Sequence, residues 1–472
     1  MTSLSGNAAS NPLLSNTQAR DMASLLHPFT NLTLLRQTGP TVIQRGAGVF
    51  VYGADGKDYL EAMGGLWCTA LGWGEEELAE AAAAQMRKLS FQHVFGGKSH
   101  EPAIELAETL KELSPFPVGK VFFANSGSEA NDSQIKFMWY AANARGQTGR
   151  KKIIARDKAY HGVTLAAASL TGLDAFHKSF DLPFDFTVRA DCPHHYRRAE
   201  PGESEEAFSA RLAERLEAQI QREGPDTIAA MFVEAVMGAG GAITPPKGYF
   251  EAITKVLARY DIPLVDDEVI CGFGRTGNWF GCETFNYQPD SMSIAKALSS
   301  AYIPISAVML SPELTDIIEQ EATRIGGLWH AFTYSAHPVA AAVALKTIEI
   351  YRRRDIVGHV RAVSSVFQQR LTALADHPLV GEARGVGLIG GIELVADKKT
   401  RRNFEPGKLV ALTCGRFCEE EGLIVRPLAA DRIAFCPPLV ISEAEVGELF
   451  DRFGRALART LDWAKAQGLL AS

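Results

Sequence analysis

Between residues 76 and 335, short apolar runs alternate with stretches of helical character. The runs are VFFAN from 121, KIIAR from 152, IAAMFVE from 228, PLVDD from 263 and SAVML from 306. Strands separated by helix-length segments pair through crossovers rather than tight hairpins. The fold class that follows is α/β, with a mostly parallel sheet covered by helices. Ligands of such sheets bind outside the carboxyl ends of the strands. Those ends carry unusual residues here. Gly127 and Ser128 follow VFFAN, Tyr160 and His161 lie shortly after KIIAR, Glu234 ends IAAMFVE, and Asp267 ends PLVDD. Lys296 joins them if the short run SMSI before it is also a strand.

Composition narrows the partners. The 472 residues carry a formal charge of −7, which argues against nucleic acid or an anionic membrane as partner. Seven cysteines, odd in number and scattered, read as reduced thiols rather than a disulfide framework. Cys192, followed by Pro193, His194 and His195, reads as a packed loop cysteine, since no second ligand cluster stands at zinc spacing. No metal is expected. The polar N-terminus lacks a signal-peptide pattern, and no window approaches a membrane span, so a cytoplasmic location is expected.

Residues 1–20 read as loosely ordered, and GVFVYGADGKDYLE (48–61) as a hairpin turning at Asp55-Gly56. After about residue 340 a long amphipathic helix and mixed strands suggest a second, smaller domain. The expected division is an N-terminal segment (1–75) packing with the small domain, a large domain (76–335) and a C-terminal small domain (336–472). Two stretches match G-x-G-x-x-G, Gly272–Gly277 and Gly385–Gly390. Neither opens a helix, so both read as turns and a nicotinamide fingerprint is rejected. The basic runs at 352–354 and 398–402, with Arg197 and Arg198, read as solvated faces.

Ser126, Gly127 and Ser128 stand between a strand and a helix, where small residues let the backbone approach an anion; a plain helix cap is the alternative. Lys296 sits among Ala295, Ala297, Leu298, Ser299 and Ser300. It is either a snorkelling surface lysine or one whose partial burial makes it a nucleophile towards an aldehyde. Asp267 either caps a loop or holds a proton on a pyridine nitrogen. The pair together suggests pyridoxal 5'-phosphate.

With NSGSEAND, AYHGVT, VMGAGG, DDEVICGFGRTG, SIAK, FTYSAHP and RPLAADRIAFCPPL in place, the chain from about residue 25 to 465 resembles the class III pyridoxal-phosphate aminotransferases. It is most similar to the amine:pyruvate (ω-amine) transaminases. The resemblance implies a fold-type I transferase: a large domain with a mostly parallel central sheet and a smaller α+β domain. It makes Lys296 the Schiff-base lysine, later a general acid/base, and Asp267 the partner of the ring nitrogen. Tyr160 and Val269 would face the two sides of the ring, and Ser126, Gly127 and Ser128 would hold the phosphate. His161 and Glu234 would support the cofactor or its tyrosine. Thr333 would reach the neighbouring subunit's phosphate, implying a homodimer with shared sites; whether dimers pair into tetramers stays open. Phe29, Trp67 and Phe95 match aromatic walls of the substrate pocket, although ordinary core packing is the alternative for each. Val163 and Ala239 match positions that keep one side small, and Arg426 matches the arginine that binds the keto acid's carboxylate.

The implied activity is ping-pong transfer of the amino group of a hydrophobic, (S)-configured amine to pyruvate, through pyridoxamine phosphate. Donors of the taurine or β-alanine type are the alternative within the family, and a cofactor-binding protein with little turnover is the alternative outside it. The chain departs from the family pattern at Ala235, usually proline, and at Ala297, Ala301, Ser306, Ala331 and Ala336, commonly glycine. Each added methyl narrows backbone freedom, with a cost set by the local φ and ψ.

Overall fold

The computed structural model describes residues 15–470. The expected apolar runs form strands β1 (Lys120–Ala124), β2 (Lys152–Arg156), β4 (Ile228–Val233), β5 (Leu264–Asp267) and β7 (Ser306–Leu310). SMSI supplies β6 (Ser291–Ile294), and Thr187–Ala190 adds β3. Together they make one seven-stranded sheet in the order β1-β7-β6-β5-β4-β2-β3. Strands β6, β5, β4, β2 and β3 run parallel, while β7 is antiparallel to both β6 and β1. Every residue of β4, β5, β6 and β7 is buried, because helices cover both faces.

The hairpin expected at 48–61 forms between Phe50–Gly53 and Asp58–Glu61. Asp55 closes its turn by accepting from the Lys57 N–H at 3.1 Å, and Gly56 takes the left-handed φ of +83° that suits glycine. Leu423–Ile424 pairs parallel with Asp58–Glu61, so the N-terminal meander is completed from the C-terminal third of the chain. A further sheet joins Val380–Val386, Ile389–Leu394, Arg432–Phe435 and Arg426–Leu428. The helix Pro338–Arg353 packs against the helices Glu76–Lys88 and Glu101–Leu113.

Both glycine fingerprints are turns. Gly272–Gly277 follows β5 without entering a helix, and Gly385 pairs with Gly390 across an antiparallel hairpin. The expected loose order over residues 1–14 lies outside the described residues, whereas Asn16–Ser24 is a helix with a capping box at Ser15. Two basic runs are not plain solvated faces. Arg197 pairs with the fully buried Glu393, and Arg352 and Arg354 bridge to Glu112 at 3.0 Å and Glu75 at 2.7 Å. Those contacts tie separate elements together, which a count of charges along the chain does not show. Among the described residues, no helix is long and apolar enough to cross a membrane.

Candidate active site

The carboxyl ends of β2, β4, β5 and β6 meet the start of the helix Gly127–Ala144 around a cavity of about 320 Å³. It is lined by Ser126, Gly127, Ser128, Tyr160, His161, Glu234, Asp267, Val269 and Lys296. Nine of the residues singled out in the sequence therefore share one crevice. Asn131, Ala301 and the 303–305 segment also line it.

Asp267 is buried at the end of β5, and each of its oxygens has a donor. Oδ2 accepts from Asn131 Nδ2 at 2.7 Å and faces His161 Nδ1 at 2.8 Å, while Oδ1 accepts from the Val269 N–H at 3.2 Å. The Asn131 amide also donates to the His161 carbonyl at 2.7 Å. These contacts fix the carboxylate plane, so a protonated ring nitrogen would find a pre-oriented acceptor.

Ser126 caps the helix with extended φ and ψ, its Oγ accepting from the Glu129 N–H at 3.2 Å. The first N–H groups of the helix, at Gly127 and Ser128, have no intrahelical partner and point towards the cavity end of the dipole. Ser128 Oγ accepts from the Val163 N–H at 3.1 Å, which holds the AYHGVT loop over this end. Gly127 is needed for space: a Cβ there would lie 3.0 Å from both methyls of Val269.

Lys296 follows β6 directly and takes φ of +44°, strained for a residue with a side chain. Burial lowers its pKa, and the Asp267 carboxylate opposes that shift. Tyr160 is fixed by its backbone N–H, which donates to Glu234 Oε1 at 3.0 Å; Glu234 Oε2 accepts from the Gly238 N–H at 3.1 Å. Burial pushes the Glu234 carboxyl up, with His161 and Arg156 opposing. Arg156, itself buried, donates to the Glu234 carbonyl at 2.6 Å. Burial and the Asp267 and Glu234 charges raise the Tyr160 hydroxyl above its usual range.

The expected substrate residues are more dispersed. Arg426 lies near enough to Tyr160 for their charges to interact, and burial lowers its pKa. Among the described residues its guanidinium has no hydrogen-bond or ion-pair partner. Phe29 is exposed, but its ring packs on Phe176 at 5.3 Å, which in turn meets Tyr160 edge-on at 5.5 Å. Trp67 is buried in the main core, and Val163 is exposed beside Ser128. Ala239 sits in the turn bracketed by the Met237–Ile243 bridge. Phe95 lines a separate cavity with Phe122 and Trp329. Thr333 stands on an exposed turn and does not line the crevice of its own chain.

Asn131, Phe176 and Arg156 were not singled out in the sequence. Asn131 had a signal, a polar residue one helical turn beyond the cradle in NSGSEAND. Phe176 and Arg156 had none, because their roles depend on contacts between distant segments.

A family model described as aminotransferase class-III matches residues 35–457. Gamma aminobutyrate transaminase 3, chloroplastic, of Solanum lycopersicum is 48% identical over 437 residues, covering 92% of this chain and 84% of that protein. Gamma-aminobutyrate transaminase 1, mitochondrial, of Oryza sativa subsp. indica is 49% identical with the same coverage. The omega transaminase from Pseudomonas jessenii in complex with PMP matches with a TM-score of 0.93 at 48% identity, over 95% of this chain and 99% of that one. A PMP-bound aminotransferase from Vibrio fluvialis matches with a TM-score of 0.93 at 42% identity, over the same shares.

Proposed function

Because the chain belongs to the class III aminotransferases, which depend on pyridoxal phosphate, we propose that it moves the amino group of a hydrophobic primary amine to pyruvate in two half-reactions. The residues present fit the cofactor. A Cβ at Gly127 would crowd Val269 at the cradle, and a buried carboxylate, an aromatic ring and an amine surround the same space. When bound, pyridoxal phosphate supplies an aldehyde that takes up the amino group and a ring that withdraws electrons from the substrate carbon.

The chain's own residues divide the remaining work. The N–H groups of Gly127 and Ser128 bind the phosphate at the positive end of the helix. Asp267, held by Asn131 and His161, keeps a proton on the ring nitrogen. Tyr160 and Val269, which line the same cavity, would pack against the ring. Lys296 would hold the aldehyde group, and its Nζ would accept the proton that leaves the substrate carbon. Its lowered pKa favours the neutral amine that this step requires.

Arg426 carries the substrate assignment. A half-buried guanidinium without a carboxylate partner, next to the tyrosine that faces the ring, suits the carboxylate of a keto acid. The test is a donor panel on the yellow holoenzyme. (S)-1-phenylethylamine should bleach it, and pyruvate should restore the colour with the amino group recovered in alanine. Bleaching by ω-amino acids alone would defeat this reading in favour of a second one. Two observations support that second reading: the relatives named gamma-aminobutyrate transaminases, and Arg426, which is equally suited to a donor's carboxylate. A shared dimer is part of the proposal. Thr333 lies beside Trp329 and Tyr334, which are 80% and 60% exposed, and this face suits a second copy of the chain.

A further inference from the structure

Directly behind Asp267, on the far side of β5, lie two more acidic side chains. Asp266 and Glu268 are 0% and 1% exposed. In the sheet register Asp266 stands between Val233 of β4 and Met292 of β6, both buried and apolar. The turn that covers this face brings Cys282 and Tyr287, with Tyr287 stacked on Phe250 at 3.8 Å. Tyr287 donates its hydroxyl to Asp266 Oδ1 at 2.8 Å, and the Cys282 N–H donates to Glu268 Oε1 at 2.7 Å.

The other two oxygens, Asp266 Oδ2 and Glu268 Oε2, are buried and have no partner. The two carboxyls and the Cys282 thiol lie close together, with one ligand atom from each all within 4.8 Å of one another. The charged or titratable groups that act on the pair and on the thiols beside it are acidic or neutral: Asp267 on the same strand, Tyr287, Cys282 and Glu283 on the covering turn, Cys271 on the loop after β5, and Glu234 at the end of β4. No Lys, Arg or His among the described residues forms an ion pair with either carboxyl.

Hydrogen-bond counting then leaves one arrangement that satisfies all four oxygens. Two anions facing each other in an apolar layer without a cation carry a large desolvation and repulsion penalty. Two protons place two donors where only one acceptor pair remains. The geometry points to Asp266 and Glu268 sharing a single proton between Oδ2 and Oε2, as a positioning pair that clamps the 281–287 turn onto β5 and so backs Asp267. Burial agrees in direction, holding Asp266 well above the ordinary carboxyl range and Glu268 up to about 7. The pair titrates as a unit, and loss of its proton would set two carboxylates against each other beneath the cofactor strand.

The first measurement is infrared difference spectroscopy of the holoenzyme near neutral pH. The wild-type-minus-variant difference, taken for D266N and for E268Q, should contain the C=O band of one buried protonated carboxyl, the band of Glu61 cancelling because all three proteins share it. Each substitution should abolish the pair's band, because an amide donor then replaces the shared proton and leaves its partner ionised. A band absent from wild type, retained in both variants, or removed by only one of them would overturn proton sharing. This arm does not depend on the transaminase reading, so the two can fail separately.

The second measurement is cofactor affinity between about pH 7 and about pH 9. Wild type should weaken about tenfold more than D266N, which has no proton to lose from the pair. Equal pH dependence in the two proteins would remove the positioning role. A purely structural role would lower the melting temperature of D266N without changing how affinity depends on pH.

Discussion

Replacing Gly127 by alanine tests the cradle most directly. Gly127 is not at a left-handed φ, so alanine introduces no backbone strain, only a methyl. That methyl would stand 3.0 Å from Val269 Cγ1 and Cγ2 and 3.6 Å from its Cβ. Valine cannot swing aside cheaply, since branching at Cβ restricts χ1. Its backbone N–H is also committed to Asp267 Oδ1. The methyl therefore pushes one face of the ring site and, through that bond, the carboxylate below it. Overpacking of this kind costs about 1–3 kcal/mol, which as lost affinity is a rise in cofactor Kd of about 5- to 150-fold. The assay is equilibrium titration of apoprotein with pyridoxal phosphate, followed by absorbance. Val269→Ala removes the clashing methyls, so Gly127→Ala in that background should cost much less, with a coupling of about 1 kcal/mol or more. If Gly127→Ala binds cofactor like wild type, or loses equally with and without Val269→Ala, the steric account of the cradle is wrong.

Three further outcomes follow from the same geometry. Lys296→Ala should leave no borohydride-trappable cofactor adduct, checked by mass spectrometry of the reduced protein; an adduct at another lysine would displace the central assignment. Arg426→Leu should raise KM for pyruvate about 10- to 100-fold, the worth of hydrogen bonds to a charged group, while the half-reaction with 1-phenylethylamine stays within about threefold. Glu61 is buried, and burial raises its carboxyl from 4.5 to about 8 despite the N–H groups of Gly65 and Met63. Its folded form therefore holds a proton that the unfolded chain releases, and stability falls as pH climbs from about 4.5 to about 8. Glu61→Gln should flatten that fall, by an amount on the order of a few kcal/mol, in melting curves across the range; an unchanged slope would mean that Glu61 is ionised throughout.

The alternation of apolar runs made most of the sheet legible because buried strands such as β4 (IAAMFV) and β7 (SAVML) read as near-continuous hydrophobic stretches. Strand β3 was not legible: TVRA is four residues long and half polar, and it sits at the sheet edge beside β2 alone. The crevice was legible for the same reason as the sheet, since strand ends fix where Asp267, Glu234 and Lys296 must point. The pocket wall was less so. Phe29 and Phe176 meet although about a third of the chain separates them, and Arg156 at the end of β2 reaches Glu234 at the end of the neighbouring β4. No local pattern encodes such contacts. The salt link of Arg197 to buried Glu393 was misread as a solvated face because its partner lies far along the chain.

The positions where the resemblance leads one to expect glycine separate into distinct physical cases once the backbone is known. Ser306 adds a contact, its hydroxyl donating to the Ser126 carbonyl at 2.8 Å and so bracing the cradle from β7. Ala297 is packed in the core at an ordinary φ, with its carbonyl accepting from the Tyr351 hydroxyl at 2.7 Å. Ala301 and Ala336 bear the cost, at φ of +66° and +54°. Ala301 closes a turn in which Lys296 and Ser300 also have positive φ, so three side-chain-bearing residues within six positions sit in a disfavoured region. Such a turn persists only when its surroundings over-determine it. Here the Leu71 N–H donates to Ser300 Oγ at 2.8 Å, and Ser299 Oγ donates to the Ile303 carbonyl at 2.6 Å. Alanine in place of glycine raises the energy of this turn without removing any contact of Lys296 or Asp267. It also shrinks the set of unfolded conformations, which offsets part of that cost. The substitutions therefore fall on the rigidity of the lysine's turn rather than on the chemistry it carries.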